Sequence, residues 1–218
     1  DDVDPATMAQ EVIKDFLEKG NSIEIPDFVE SYLQSIKEAL KSRMFRAYVI
    51  LNIRFTTAAY MESIGVGKEE YTERLGDHAS EMNLEPGEVS AWFSHMLHAA
   101  IELRDRESSS RNRKMIEKAL DYIDKNYTDD SLSLNKVAAE AEVSANYLSA
   151  VFSQSMKKTF VEHVTAKRME RAKKLLKSTD LSAGEIAAEV GYKDSHYFSF
   201  VFKKTQGMSP REYRAGTQ

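Results

Sequence analysis

Apolar residues recur three and four positions apart along most of the chain, a spacing that predicts helices rather than strands. An amphipathic helix is predicted from Asp4-Pro5, a cap followed by proline in the first turn, to Gly20. Another is predicted from Pro26 to Gly65, as one long helix or as two in succession. Its apolar stripe comprises Phe28, Val29, Tyr32, Leu33, Ile36, Leu40, Met44, Ala47, Tyr48, Leu51, Phe55 and Ala59.

Two further helices complete the first half. A short one carries Tyr71 and Leu75, and a long one begins near Val89, after Pro86-Gly87, and extends through Leu103. No segment shows the strict alternation of a half-buried strand. We therefore predict an all-α fold in which residues 1–107 form a helical bundle for regulation or dimerisation, large enough to bury its own core.

The second half contains an internal repeat. Residues 137–143 (VAAEAEV) are echoed by residues 186–192 (IAAEVGY), at an offset of 49. Each copy is followed by a second helical pattern, YLS-x-VF at 147–152 and YFS-x-VF at 197–202, at an offset of 50. A repeat of this length indicates one supersecondary unit used twice.

The spacing inside each copy predicts a helix-turn-helix unit. Leu134, Val137 and Ala138 fall on one helix face, and the small Ala138, like Ala187, lets a second helix cross closely. Two short helices would then cross over a turn of three to four residues. We place the two units at about 132–155 and 181–205.

Turn and cap residues support these boundaries. Gly191 occupies the second turn, where a positive φ costs glycine least, whereas Glu142 stands at the aligned position of the first turn. The residues predicted to cap helices are Ser144, Asp194, and Ser182 with Glu185 as a capping box.

A connecting helix is predicted between the units, from Phe160 to about Lys177, a segment without glycine or proline. Its apolar stripe comprises Val161, Val164, Met169, Ala172, Leu175 and Leu176. Such a helix is about 27 Å long, close to the ~34 Å between successive turns of one DNA groove.

The segments 168–176 (RMERAKKLL) and 191–213, with its GY, YFS, FKK and GMSPREY motifs, resemble the DNA-binding domain of the AraC/XylS family. The resemblance covers roughly Lys114 to Arg214. It is nearest to the effector part of YesN-like response regulators, which have a similar segment to residues 122–134. Where the family often has glycine, this chain has Lys157 before Lys158-Thr159-Phe160, and we expect a differently shaped start of the connecting helix.

The resemblance implies a transcription regulator that binds double-stranded promoter DNA, and that contacts RNA polymerase if it is an activator. It also implies an upstream receiver domain and a histidine kinase. The first half shows neither the strand-helix alternation of a receiver nor a sugar-sensing β-barrel, and the chain begins at Asp1 without methionine, so a receiver is expected upstream. The helical half would relay the receiver's state or form a homodimer. The alternative is a helical module that senses a ligand or partner and has a DNA-binding output.

Charge is divided between the halves. Residues 1–107 contain 11 Lys and Arg against 21 Asp and Glu, and residues 108–218 contain 19 against 14, so the net charges are −10 and +5. A basic DNA-binding domain beside an acidic partner domain has this distribution. Candidates for phosphate contacts are Lys157, Lys158, Lys167, Arg168, Arg171, Lys203, Lys204 and Arg211.

Base contacts are expected from outward positions early in the second helix of each unit, because that part of the helix enters the major groove first. The candidates are Asn146, Ser149, Ala150, Ser153, Ser195, His196, Ser199 and Phe200. Asn146 suits an adenine edge and His196 a guanine, whereas Ala150 and Phe200 suit a thymine methyl group or a sugar. The short side chains of the first unit predict that specificity depends more on the second.

Other chemistry is weakly indicated. The chain has no cysteine, no phosphate-binding glycine loop and no serine-elbow motif, so we predict no enzyme and no cofactor. His95, His98 and Glu102 could share a helix face, but no fourth ligand is indicated, His78 is too distant to assign, and no metal site is predicted. No apolar run is long enough to span a membrane and no secretory signal is visible, so the cytoplasm is expected.

The boundary between the halves is predicted at 106–113 (RESSSRNR). Its serines and charges are compatible with a flexible hinge. Because the flanking patterns are both helical, a continuous helix across this segment is the alternative.

Overall fold

The computed structural model describes residues 5–75, 81 and 83–216, and every regular element within these residues is helical. This agrees with the predicted all-α fold. The chain divides into two compact units, an N-terminal unit of residues 1–110 and a C-terminal unit of residues 111–218. The predicted cap at Asp4 lies outside the described residues.

The N-terminal unit is built from helices of unequal length. They are α1 (Pro5–Lys19), α2 (Ile25–Ser35), a 3-10 turn (Ala39–Lys41), α3 (Arg43–Ser63), α4 (Lys68–Leu75) and α5 (Val89–Asn126), which continues into the C-terminal unit. The segment 106–113, left open between hinge and helix, is helical. The run from Pro26 to Gly65 forms two helices, because the hydroxyl of Ser42 caps a new helix by accepting from the Phe45 amide.

The core of the N-terminal unit forms where α1, α2, α3 and α5 bury their apolar faces. Ile13 and Leu17 of α1 and Phe93 of α5 are fully buried, and the rings of Phe16 and Phe28 stack with their centroids 3.9 Å apart. Two arginines are buried with them. Arg46 donates to the carbonyl oxygens of Leu40 and Leu84, and Arg54 pairs with Glu81 at 2.5 Å.

The buried face of α3 differs from the sequence-based prediction. The core-facing residues are Val49, Ile50, Ile53, Thr57, Tyr60 and Met61. Three large residues of the predicted stripe are instead exposed, Met44 at 83%, Tyr48 at 49% and Phe55 at 62%. The reason is that α3 is apolar on two faces, so periodicity alone could not decide which one the rest of the unit covers.

The C-terminal unit contains the end of α5 and six more helices. They are α6 (Leu134–Glu140), α7 (Ala145–Met156), α8 (Phe160–Ser178), α9 (Ala183–Glu189), α10 (Ser195–Gln206) and α11 (Pro210–Ala215). One core includes Ile123, Val137 and Phe152, and another includes Ile186 and Phe198.

The connecting helix α8 contributes to both cores. Val164 belongs to the first core, and Met169, Ala172, Leu175 and Leu176 belong to the second. Val161 was predicted in the same stripe but is exposed, so that detail was wrong. At 19 residues, α8 is about 28 Å long.

Candidate nucleic-acid interface

The pairs α6–α7 and α9–α10 have the same turn despite different residues. Glu142 at φ 59° and Gly191 at φ 90° both adopt the left-handed conformation. In each turn the amide three residues beyond the end of the first helix donates to the carbonyl of an alanine in that helix: Val143 N to Ala138 O at 3.0 Å, and Tyr192 N to Ala187 O at 2.9 Å. The alignment of Glu142 with Gly191 is therefore confirmed.

The equivalence of the two units extends beyond the second helix of each. Lys157 at φ 54° ends α7 as Gly207 at φ 82° ends α10. Capping boxes follow in both places, Thr159 with Glu162 and Ser209 with Glu212. The expectation that Lys157 would change the start of the connecting helix was therefore wrong, because a non-glycine residue adopts the same conformation.

Neither of these capping boxes was predicted, although the Ser/Thr-x-x-Glu signal is present in the sequence at both. The residue that follows the glutamate of each capping box has an aromatic ring, and this ring packs edge-on against the equivalent core phenylalanine. His163 lies 5.5 Å from Phe152, and Tyr213 lies 5.6 Å from Phe202. Burial and the charge of Lys167 lower the pKa of His163, which favours the neutral imidazole in this position.

The predicted caps of the helix-turn-helix units are confirmed. Ser144 accepts from the Tyr147 amide at 3.2 Å, and Asp194 accepts from the amides of His196 and Tyr197 at 2.7 and 3.2 Å. These backbone hydrogen bonds to the ionised carboxylate hold the pKa of Asp194 below its usual value. Ser182 and Glu185 form the predicted capping box.

The base-contact candidates are matched in exposure between the two helices. Asn146 and Ala150 on α7 are exposed, as are His196 and Phe200 on α10. The serines Ser149, Ser153, Ser195 and Ser199 are partly buried. The Ser199 hydroxyl donates to the Ser195 carbonyl at 2.9 Å, within its own helix.

Two exposed tyrosines on the same helices were not among the candidates. Tyr147 donates its hydroxyl to Asn112 at 2.7 Å, and the Tyr197 ring stacks 6.5 Å from Phe200. The signal was present, because both tyrosines open the repeated motif, but the motif was used only to identify the second helix of each unit. Their exposure adds an aromatic ring next to Asn146 and His196 on each helix.

Most of the phosphate-contact candidates are exposed: Lys157, Lys158, Arg171, Lys203, Lys204 and Arg211. Lys158, Lys167, Arg171 and Lys174 line one open cavity of about 450 Å³ beside α8. Lys167 is partly buried, pairs with Asp124 at 2.7 Å, and lies 5.8 Å from the Tyr127 ring. This surface therefore concentrates positive charge along the connecting helix.

Arg168 differs from the other candidates because its donors are directed into the protein. Its guanidinium donates to the carbonyl oxygens of Tyr127 at 2.7 Å and Asp129 at 2.9 Å, and lies 5.0 Å from the ring centre of Tyr192. A Cβ on Gly191 would stand 2.8 Å from the Thr128 carbonyl oxygen. The second turn thus lies against the loop that precedes the first unit, with Arg168 between them.

The histidines considered for a metal lie in the N-terminal unit. His95 and His98 are exposed, Glu102 pairs with Arg74 at 3.3 Å, and His78 lies outside the described residues. Within residues 5–75, 81 and 83–216 no group of three potential ligands comes together. In the same part of the chain, no helix combines the length and apolarity needed to cross a membrane.

Comparison with known proteins agrees with this geometry. Residues 137–216 match the family described as a helix-turn-helix domain. The chain is 35% identical to the uncharacterized transcriptional regulator YijO of Escherichia coli strain K12, over 62% of the chain and 49% of that protein. It is 31% identical to the melibiose operon regulatory protein of the same strain, over 60% of the chain and 43% of that protein. The chain thus spans about half the length of these curated relatives.

Two solved structures are also similar. The C-terminal domain of the two-component response regulator yesN from Fusobacterium nucleatum is 36% identical, covering 46% of this chain and 98% of that domain, with a TM-score of 0.45. The C-terminal domain of the response regulator AraT from Geobacillus stearothermophilus is 42% identical, covering 47% of this chain and 84% of that one, with a TM-score of 0.46.

The curated relatives are named as a transcriptional regulator and an operon regulatory protein, in agreement with the sequence-based prediction. The matched residues 137–216 include most of the first helix-turn-helix and all of the second. The chain therefore belongs to the AraC/XylS family of transcription regulators, and its C-terminal unit carries the family's helix-turn-helix domain.

Proposed function

We propose that this protein is a sequence-specific regulator that binds promoter DNA through both helix-turn-helix units. The observation that carries the proposal is the matched pair α7 and α10, each of which presents an exposed polar residue near its start, Asn146 or His196. In helix-turn-helix proteins, residues near the start of the second helix contact base edges in the major groove. Two such helices joined by α8 would occupy successive turns of the groove.

Base recognition is assigned by chemistry. The Asn146 amide can both donate to and accept from an adenine edge, and the His196 imidazole can donate to guanine N7 or O6. Ala150 and Phe200 offer apolar contacts to a thymine methyl group or a sugar. The serines at 149, 153, 195 and 199 have short side chains and are partly buried, so we assign them a smaller share of the base recognition.

We assign much of the affinity for DNA to the exposed basic residues around α7 and α10. The residues that would bind phosphates are the exposed Lys157, Lys158, Arg171, Lys203, Lys204 and Arg211, and Lys167 would join them if it exchanged Asp124 for a phosphate. Such contacts release counterions and make binding depend on salt. Because Arg168 donates to two backbone carbonyls, we assign it to holding the units together rather than to phosphate binding.

We further propose that the chain is the output part of a two-component response regulator. The support is its identity to the C-terminal domains of yesN and AraT, both of which are named as response regulators. A receiver domain and a histidine kinase would then be its upstream partners, and the cytoplasm its location. The coding sequence around this segment tests the idea, since a gene product without a receiver would contradict it.

A footprint on the promoter next to the gene tests DNA recognition. We expect two protected patches about ten base pairs apart for each chain. His196→Ala should lower affinity for the target roughly 5- to 150-fold and relax specificity in one patch, because it removes a base contact. Arg171→Gln is the matched control, and should weaken binding to target and random DNA alike. Equal losses of specificity from the two variants would show that the assigned roles are wrong.

A further inference from the structure

The open cavity of about 450 Å³ beside α8 is a basic cleft within the C-terminal unit. We call it the α8 cleft. The polar and aromatic side chains that line it on its basic side are Tyr127, Lys158, His163, Lys167, Arg171 and Lys174. Its volume lies within the range of about 300–1,000 Å³ that is usual for pockets that bind small molecules.

The acidic residues at the α8 cleft are already engaged by other cations. Lys167 pairs with Asp124 at 2.7 Å. Glu170, the acidic residue of the lining, pairs with Lys173. These two ion pairs leave the remaining positive charge of the cleft without a nearby carboxylate.

Three cations of the cleft have no acidic partner in the part of the chain that the structure describes: Lys158, Arg171 and Lys174. Arg171 lies three positions from Lys174 and four from Lys167 on the same helix, spacings at which like charges repel each other. An anion in the cleft would remove this repulsion, because all of these cations line the same cavity.

His163 supplies a second observation on the lining of the cleft. Its Nε2 atom is buried and has no hydrogen-bond partner among the described residues, whereas buried polar atoms are normally paired. Burial, followed by the charges of Lys167 and Lys158, lowers the pKa of this imidazole. The positive potential of the cleft therefore extends to a half-buried side chain, as a binding site for an anion requires.

We infer that the α8 cleft binds a small molecule that carries phosphate groups. Lysine and arginine are the side chains that bind phosphate oxygens, and arginine does so through two parallel hydrogen bonds. Duplex DNA carries the same groups, but it is a stiff rod. A rod contacts the rim of a cleft, whereas a compact ligand also reaches the partly buried His163 and Lys167.

A ligand in the cleft would reduce the affinity for DNA, a consequence that rests on the proposed function. We assign Lys158, Lys167 and Arg171 to DNA phosphates, and the ligand would use the same donors. The DNA-binding unit would thus have an inhibitory site of its own.

Isothermal titration calorimetry of the 218-residue chain with pyrophosphate, in the absence of DNA, tests the site. We expect saturable binding with a dissociation constant below about 1 mM at low salt. Potassium chloride of the same ionic strength should give no saturable signal. Arg171→Gln and Lys174→Gln should each raise the dissociation constant roughly tenfold, because each removes charge-assisted hydrogen bonds.

Lys114→Gln is the matched control, since it makes the same change of charge at an exposed residue of α5 outside the cleft. It should change the dissociation constant less than about twofold. An equal effect of this variant would indicate attraction by net charge alone and overturn the proposal, and so would the absence of saturable binding. Circular dichroism establishes that each variant is folded. Because no DNA is present, the result does not depend on the proposed DNA contacts.

The imidazole of His163 gives a local measurement of binding. The charged groups that act on it are Asp124 of α5, Lys158 before α8 and Lys167 of α8, and its neighbour on α7, Phe152, is uncharged. Pyrophosphate should raise the pKa of His163, since a nearby anion favours the charged imidazole. Titration by nuclear magnetic resonance measures this, and His163→Gln identifies the signal among the five histidines. An unchanged pKa in the saturated protein would contradict the proposal.

A separate titration with a random DNA duplex distinguishes the two sources of phosphate. Pyrophosphate should weaken DNA binding by the wild type more than potassium chloride of the same ionic strength does. If the chain bound DNA through Arg171 but did not bind pyrophosphate, the cleft would serve DNA alone and the proposal would be overturned. If pyrophosphate bound without weakening DNA binding, the site would stand and the assignment of Arg171 to DNA phosphates would be wrong.

Discussion

The two helix-turn-helix units have the same backbone but different residues at the positions that control it. The first uses Glu142 and Lys157 where the chain turns left-handed, and the second uses Gly191 and Gly207. A non-glycine residue costs roughly 1–2 kcal/mol in this conformation. The first unit therefore bears a backbone strain that the second avoids, and the shared geometry is maintained by caps and packing rather than by glycine.

The surfaces of α7 and α10, the second helices of the two units, differ as well. Helix α7 has no charged residue from Ala145 to Met156, whereas α10 ends with Lys203 and Lys204 where α7 has Ser153 and Gln154. The second unit is thus suited to contribute more of the binding to DNA. We expect variants of the two turns to change the stability of the fold. We expect variants of α10 to change the affinity for DNA more than variants of α7.

Exchanging the turn residues should have the largest effect. Gly191→Ala should lower the free energy of unfolding by roughly 2–4 kcal/mol, because alanine is strained at φ 90° and its Cβ would overlap the Thr128 carbonyl. Urea denaturation followed by circular dichroism measures this. Glu142→Gly is the counterpart and should raise stability by about 0.5–1 kcal/mol, since relief of strain exceeds the added chain entropy. Similar losses from both variants would contradict the difference between the turns.

Exchanging the charges near the ends of α7 and α10 should have an intermediate effect, on the affinity for DNA. Lys204→Gln should reduce the slope of log affinity against log salt concentration by about one, because one phosphate contact is lost. Gln154→Lys should increase it by about one. Titration of the target duplex at several salt concentrations measures both, and the double variant should recover the original slope. If Lys204→Gln left the slope unchanged, Lys204 would not contact phosphate.

The smallest effect is expected on the stability of the fold at low pH. The pKa of Asp194 is lowered by the amides of Tyr197 and His196, so its cap stabilises the fold above the ordinary aspartate pKa of about 4 and is lost as the pH falls through the lowered value. Asp194→Asn should therefore reduce the loss of stability between about pH 5 and pH 3. Ser144→Asp should add a similar loss in the first unit. Urea midpoints at these pH values measure both, and unchanged acid sensitivity in Asp194→Asn would contradict this role.

Local signals in the C-terminal half predicted its structure well. The repeat, the Gly191 turn and the caps at Ser144, Ser182 and Asp194 depend on neighbouring residues, and the structure confirms them. The base and phosphate contacts stay predictions. The role of Arg168 was not foreseen, because its partners Tyr127 and Asp129 lie about forty residues away and are backbone atoms, which carry no sequence signal.

The N-terminal half was harder to predict for a related reason. Helix α3 has apolar residues on two faces, and only the positions of α1 and the other helices determine which face is buried. The stripe through Met44, Tyr48 and Phe55 has the same spacing of three and four positions as the stripe through Val49 and Ile53, yet it is the exposed one. Periodicity identifies the apolar faces of a helix, but it does not show which of two such faces the rest of the unit buries.

The sharing of α8 between two cores limits how this domain can be recombined in evolution. Val164 is buried with the first helix-turn-helix, and Met169, only five residues later, is buried with the second. A gene fusion that exchanged one unit for that of a relative would have to join the sequences inside this short interval of a continuous helix. A junction elsewhere would combine buried residues of two proteins in one core, so the two units are expected to be inherited together.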